Sequence, residues 1–180
     1  MRWTDILLCK DKRKIKGIYY ESFPSKERMP WAMMLFLSML PTTKFKAIYD
    51  DEKLCGFIYF GVLGKHVFVM FFAVDSELRN CGYGSKILSE LKERYPKKTI
   101  VVTIEPTVNN PLDIRGRRKQ FYIRNNFAET GCFIKSFGDL QEILVCGGTF
   151  NRKTFSMFLL SYSFFAIWPR YDKKVILTKG

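Results

Sequence analysis

The chain has 180 residues, 47% of them apolar and 16% aromatic, which is one domain's worth of sequence and excludes a chain too polar to fold. Lys and Arg outnumber Asp and Glu by 30 to 17, a formal net charge of +13, so an anionic partner is weighed against a plain solubility charge. Five cysteines standing singly and one histidine, His66, argue against a zinc site or a Cys/His nucleophile and fit a reducing, cytoplasmic setting.

Thr4 to Leu8 is expected to be a first strand. From Lys12 to Ser22, Ile15, Ile18 and Tyr19 recur at helical spacing, and Phe23-Pro24-Ser25 breaks that helix. A second helix begins near Pro30, a favoured first-turn residue, and runs to about Met39. Lys44 to Tyr49 and Lys53 to Val62 read as strands, and Gly64-Lys65-His66 turns into the eight apolar residues Val67 to Val74, giving an antiparallel meander. The helix Gly82 to Tyr95 carries Ile87, Leu88, Leu91 and Tyr95 on one face, and the β-branched run Thr99 to Ile104 follows it. Strand, helix and strand in that order call for one right-handed crossover and a parallel pair. A loop covers Pro106 to Pro111, and Ile114 to Asn125 reads as a short basic helix. Phe127 to Phe137 and Leu140 to Val145 read as strands around Gly138-Asp139, Arg152 to Phe164 as a last helix, and the tail as basic. The longest greasy stretch, Phe155 to Trp168, is interrupted by serines and too short to span a bilayer. Near the N-terminus only Ile6 to Cys9 is apolar, so neither a signal peptide nor membrane insertion is expected. The fold class expected is α+β: a single domain over 1–180 with a mixed, mostly antiparallel sheet of about seven strands, flanking helices and an added C-terminal helix.

Between the long apolar strand and the amphipathic helix stands Arg79-Asn80-Cys81-Gly82-Tyr83-Gly84-Ser85. A strand, a glycine turn and a helix start make an anion site, because main-chain N–H groups point outward there and the helix dipole favours negative charge. A Rossmann loop would need a third glycine where Ile87 stands. Glu105 does lie at about the distance of a ribose-binding acid, but a single crossover unit is too little for a doubly wound sheet. A Walker A loop is absent, and an ordinary helix start with two glycines is the plain alternative.

The spacing Arg-x-x-Gly-x-Gly resembles the acyl-CoA pyrophosphate loop of the GNAT (Gcn5-related N-acetyltransferase) superfamily. The order β, α, α, three antiparallel strands, α, β, α, β, β also matches that family. A second motif, Phe121-Tyr122-Ile123-Arg124-Asn125-Asn126-Phe127, looks like the family's F-Y-x-x-N-G-F segment. Asn126 replaces the glycine and, like glycine, tolerates the left-handed conformation that ends a helix. Phe23-Pro24-Ser25-Lys26-Glu27-Arg28 and Arg117-Arg118-Lys119-Gln120-Phe121-Tyr122 are similar to segments of bacterial members of unassigned substrate.

The resemblance implies an acetyl-CoA-dependent N-acetyltransferase that acetylates a primary amine of a small-molecule or peptide acceptor by direct attack in a ternary complex, with CoA as co-substrate and no metal. The amides of Arg79, Asn80, Cys81, Gly82, Tyr83, Gly84 and Ser85 would hold the pyrophosphate, with charge from Arg79 and Lys86; Ser85 is also a candidate helix cap. The main chain of Phe72, Ala73 and Val74 would meet the pantetheine arm, the Val74 N–H serving as a candidate oxyanion donor. Tyr122 would give a proton to the departing thiolate. Glu105, at the end of the fifth strand, would meet the acceptor and take its proton, since an alkylammonium with a pKa of about 10.4 must lose one. Glu27 is read either as binding a cationic acceptor or, more simply, as a helix-surface charge. Arg115 stands where the family carries an asparagine near the pantetheine arm. With Arg117, Arg118 and Lys119 it is read as a phosphate contact or as a solvated helix face. Cys81 is otherwise a small filler. The helices from Lys12 to Met39 and the segment after Phe137 would shape the acceptor pocket. Two alternatives stay open: a basic RNA- or ribosome-binding module, which no RNP-like or helix-turn-helix signature accompanies, and a CoA-binding fold without catalysis. The acceptor and the oligomeric state, a homodimer included, are not readable from the residues.

Overall fold

The β-branched and aromatic runs become strands and the 3.6-residue repeats become helices, as a computed structural model describing residues 1–107, 113–136, 139–162 and 170–173 shows. In chain order the elements are β1 (Arg2–Asp5), α1 (Lys12–Ser22), α2 (Trp31–Leu37), β2 (Thr43–Asp50), β3 (Lys53–Leu63), β4 (His66–Val74), α3 (Tyr83–Arg94), β5 (Thr99–Ile104), α4 (Ile114–Arg124), β6 (Ala128–Ser136), β7 (Asp139–Cys146), α5 (Arg152–Tyr162) and β8 (Arg170–Lys173). The strands form a mixed sheet in the order β1-β2-β3-β4-β5-β7-β6-β8, flanked by helices. Among the described residues, no helix is long and apolar enough to cross a membrane.

Two ends of the chain depart from expectation. β1 stops at Asp5 because that carboxylate accepts the Leu7 N–H at 3.1 Å and caps a 3₁₀ turn over Ile6–Leu8, where a strand was expected to continue. β8, an eighth strand, is formed by part of the tail read as merely basic. Arg170–Lys173 lacks an apolar alternation; its antiparallel pairing with Cys132–Lys135 of β6 supplies the main-chain bonds instead. Phe137, Gly138, residues 108–112 of the expected loop, and residues 163–168 of the greasy stretch lie outside the described residues.

The chain packs into two compact units. The first holds Met1–Val62 and Val69–Tyr95. Its β3 is buried at eight consecutive positions from Leu54, which is why the run lacks a polar face. Ile15, Ile18 and Tyr19 of α1 and Ile87, Leu88 and Leu91 of α3 are buried too, matching their helical spacing. The β2/β3 register slips between Ile48 and Tyr49, so Cys55 is an extra residue on β3. A Cβ on the neighbouring Gly56 would run into the Ala73 carbonyl and come within 2.9 Å of Val74 Cα, so only glycine lets β3 and β4 approach there.

The second unit holds Leu63–Phe68 and Pro96–Gly180. β5, β6 and β7 bury Ile100, Val101, Val102, Phe133, Ile134 and Ile143 to Val145. α5 packs through Phe155 and Phe158, whose rings lie 5.2 and 4.4 Å from that of Phe68. The described start of the greasy stretch is thus a helix docked on this unit.

Candidate functional site

In the first unit, the end of β4 is converted into a helix start by a series of local devices. Phe72, Ala73 and Val74 are its last three residues. The Asp75 N–H donates to the Cys55 carbonyl at 2.9 Å, and its carboxylate accepts the Glu77 N–H at 3.2 Å, capping the 3₁₀ turn Ser76–Leu78. Lys14 reaches the same carboxylate at 2.9 Å. Burial works to raise the Asp75 pKa, but the Lys14 and Glu77 hydrogen bonds outweigh it and hold the carboxyl below its ordinary 3.8.

Beyond that turn, Arg79 is extended, Asn80 is left-handed at φ 63°, and Gly82 is left-handed at φ 81° as the N-cap of α3. No side chain caps α3 and no acidic residue stands in its first turn. The first hydrogen bond of the helix runs from Lys86 N–H to Gly82 O at 3.1 Å. The N–H groups of Tyr83, Gly84 and Ser85 therefore have no acceptor within the helix, which is the arrangement that takes an anion. A Cβ at Gly82 would meet nothing within 4 Å, so the space above it is open. The glycine is required by its φ rather than by a neighbour.

The side chains around this loop sort differently from their sequence reading. Ser85 does not cap α3; it lies inside the first turn, exposed, because Gly82 has the cap position. Gly84 has no positive φ and is an ordinary helical residue. Cys81 is exposed rather than a filler, its thiol 3.5 Å from the Arg79 carbonyl. The Arg79 guanidinium donates to the Ser22 hydroxyl at 3.3 Å, tying the loop to the end of α1. Lys86 is ion-paired at the surface: its ammonium lies 3.6 Å from Asp50, which also accepts the Tyr83 hydroxyl at 3.1 Å. Asp50 is not among the candidates the sequence offers, because a carboxylate closing β2 is not by itself a signal. Glu27 ends the 3₁₀ turn Ser25–Glu27, half-buried, with its N–H on the Pro24 carbonyl at 3.0 Å. The next turn is pinned by Tyr19, whose hydroxyl accepts the Met29 N–H at 2.7 Å and donates to the Met29 carbonyl at 3.0 Å.

In the second unit, Glu105 stands one residue past the end of β5 and meets Arg115. Its Oε2 lies 3.4 Å from Arg115 Nε and 3.8 Å from an Arg118 nitrogen. Two residues assigned separate tasks are therefore one ion-pair cluster, and Arg115 faces a carboxylate. Asp113 caps α4, accepting the Arg115 N–H at 3.3 Å.

Lys119 is the largest departure. Read as a phosphate contact or solvated charge, it is 4% exposed, because Glu142 takes its ammonium at 2.9 and 3.0 Å and Glu129 at 2.9 Å. Burial lowers its pKa, and the two carboxylates more than reverse that, so it is held above its ordinary value. The one legible trace was a glutamate inside the apolar run Leu140 to Val145.

Tyr122, on the same inward face, is buried, with its ring 5.2 Å from those of Phe121 and Phe127. Burial pushes its phenol up to about 12, against a small opposing pull from Arg118. Among the described residues its hydroxyl has no hydrogen-bond partner. The helix then ends as expected: Asn126 is left-handed at φ 62°, Phe127 N–H donates to Tyr122 O at 3.1 Å and Asn126 N–H to Ile123 O at 3.0 Å. Those two bonds and the Tyr122–Phe127 contact make a Schellman ending.

The sequence matches the model of the acetyltransferase (GNAT) family over residues 13–115, which include the 79–86 loop. Among solved structures, a GNAT-family protein from Bacteroides thetaiotaomicron superposes with a TM-score of 0.76 at 23% identity, covering 93% of this chain and 99% of that one. An aminoglycoside 6'-N-acetyltransferase complexed with coenzyme A gives 0.62 at 15% identity, covering 81% and 96%. A spermidine N-acetyltransferase from Vibrio cholerae gives 0.58 at 13% identity, covering 80% and 90%. At these identities the likenesses speak to the fold. No curated protein matches the sequence.

Proposed function

The chain belongs to the acetyltransferase (GNAT) family, and on that premise we propose that 1–180 is a single N-acetyltransferase domain using acetyl-CoA to acetylate a primary amine. The observation that carries the reading is the start of α3: a left-handed Gly82 opens a helix that no side chain caps, beneath open space and beside Arg79. Those features fit a pyrophosphate, which takes the unpaired N–H groups of Tyr83, Gly84 and Ser85 as donors. Phe72, Ala73 and Val74 offer main chain to the pantetheine arm. The acceptor is a small amine, the class that two of the structural relatives' names give for those proteins, and the five unpaired cysteines suit a reducing cytoplasm.

Tyr122 serves as hydrogen-bond donor to the departing sulfur. A phenol at about 12 is a weaker acid than a thiol at about 8.5, so it steadies the thiolate while the acceptor's proton completes the balance. Glu105 takes that proton as the amine attacks, directly or through water, and it passes on through solvent to the thiolate, so that amide and CoA thiol are the products. The test is an amine panel followed by CoA thiol release, with Tyr122→Phe and Glu105→Gln alongside. No amine-dependent release from a protein that binds CoA would sink the enzymatic reading.

A second reading, CoA binding without turnover, has one observation in its favour. Glu105 is already engaged by two guanidiniums, which compete with an approaching ammonium for its carboxylate. Equal rates in Glu105→Gln and the parent would remove Glu105 from the chemistry.

A further inference from the structure

α4 meets its sheet with an unusual face. Its buried residues are Gly116, Lys119 and Tyr122, so a charged side chain stands where an amphipathic helix would place a leucine. Glu142 sits on β7, between Ile104 of β5 and Phe133 of β6 in the register, and is 3% exposed. Glu129 comes from β6, with a half-exposed side chain. One ammonium thus joins one helix to two strands.

Such a cluster is a poor way to gain stability. Removing two charges from water is costly, and apolar residues of similar volume commonly do as well or better. Its distinguishing property is directionality. Apolar contacts tolerate a small slide or rotation of a helix, whereas an ammonium held at 2.9 and 3.0 Å by both oxygens of one carboxylate and at 2.9 Å by a second does not. Three positions beyond Lys119, on the same face, comes Tyr122, whose hydroxyl has no partner of its own among the described residues to hold it.

We propose that Lys119, Glu142 and Glu129 are positioning residues: the buried charge cluster fixes the rotation and register of α4 on β6 and β7, and with it the place of the Tyr122 hydroxyl. The proposal rests on the reading of Tyr122 as the group that meets the departing sulfur. The cluster touches no reacting atom and acts through the helix.

The experiment compares the parent with Lys119→Met/Glu142→Leu, which leaves no buried unpaired charge at either position and is expected to keep stability that the single substitutions lose. Tyrosines are replaced by 3-fluorotyrosine, and the Tyr122 resonance is assigned by its loss in Tyr122→Phe. The parent is expected to show one sharp line. The double variant, with a near-parental melting midpoint, is expected to show that line moved or split. In turnover, kcat is expected to fall at least tenfold with the KM for acetyl-CoA within twofold, and the same pair of substitutions in the Tyr122→Phe background to add less than threefold. A sharp, unmoved resonance, or an equal loss of kcat with and without the Tyr122 hydroxyl, overturns the proposal. If the parent turns over no amine, the proposed activity fails while the fluorine spectrum still decides the positioning role.

Discussion

Gly82 and Asn126 hold the same left-handed conformation at the two motifs, with different consequences for substitution. At Gly82 an added Cβ meets no neighbour, so Gly82→Ala carries the backbone cost alone, about 1–2 kcal/mol. The same change disturbs the direction of the N–H groups of α3, so CoA affinity measured by calorimetry is expected to fall further than stability does in urea. At Asn126 the side chain is only a tolerated substitute for glycine. Asn126→Gly is expected to be neutral within about 0.5 kcal/mol, and Asn126→Ala to cost about 1 kcal/mol as the Schellman ending strains. Tyr122→Phe removes a hydroxyl without a described partner, so the fold should hold while kcat falls by about 10²-fold. Because burial holds this phenol at about 12, its ionisation should leave no mark on the rate below about pH 11. An alkaline limb near pH 10 that disappears in Tyr122→Phe would contradict the buried phenol.

The loop and helix elements show which physics a sequence carries on its surface. α1, α3 and β5 were legible because their burial follows one period: Ile15, Ile18 and Tyr19, then Ile87, Leu88 and Leu91, then an unbroken β-branched run. α4 was legible as a helix but not as a packed one, because its inward face is held by charge and the compensating carboxylates lie ten and twenty-three residues away. β8 was missed because pairing with an edge strand needs main chain rather than an apolar pattern. The 79–85 loop was found from its glycines, yet of the two only Gly82 has a positive φ. The Asp75 cap joining β4 to that loop gives an element-scale prediction. Its carboxyl has a lowered pKa in the folded state, so the contribution is present above 3.8 and fades as the pH falls through that value and below. Asp75→Asn keeps the cap but loses the charge-assisted pairing with Lys14, so it should lower stability at pH 7 by up to about 1 kcal/mol, and the gap to the parent should close towards pH 2–3 in urea titrations. A gap independent of pH would mean that Lys14 and the Glu77 N–H do not favour the charged form. Lys119→Met alone, leaving Glu142 buried without its cation, is expected to cost about 3–5 kcal/mol, far more than a surface lysine.

At the scale of the whole molecule, the +13 charge and the uncapped start of α3 make separable contributions to anion binding. Diffuse charge attracts any polyanion and is screened within about 8 Å at physiological ionic strength. N–H donors and the end of a helix act at contact and are screened much less. A ligand at 100 times its Kd stabilises by about 2.7 kcal/mol, and for a chain of this size each kcal/mol moves the melting midpoint by about 2–4 °C. CoA at that excess should therefore raise the midpoint by roughly 5–11 °C. Raising NaCl from about 0.05 to about 0.5 M should shrink the shift at fixed CoA by removing the diffuse part, and Gly82→Ala should remove most of what remains. Short RNA should behave oppositely, with any shift at low salt lost at high salt and indifferent to residue 82. A midpoint that responds to RNA and not to CoA would leave the charge as the functional feature and the helix start as architecture. A CoA shift that survives salt and fails in Gly82→Ala would make the loop the binding element, with the net charge acting mainly on how fast the ligand arrives.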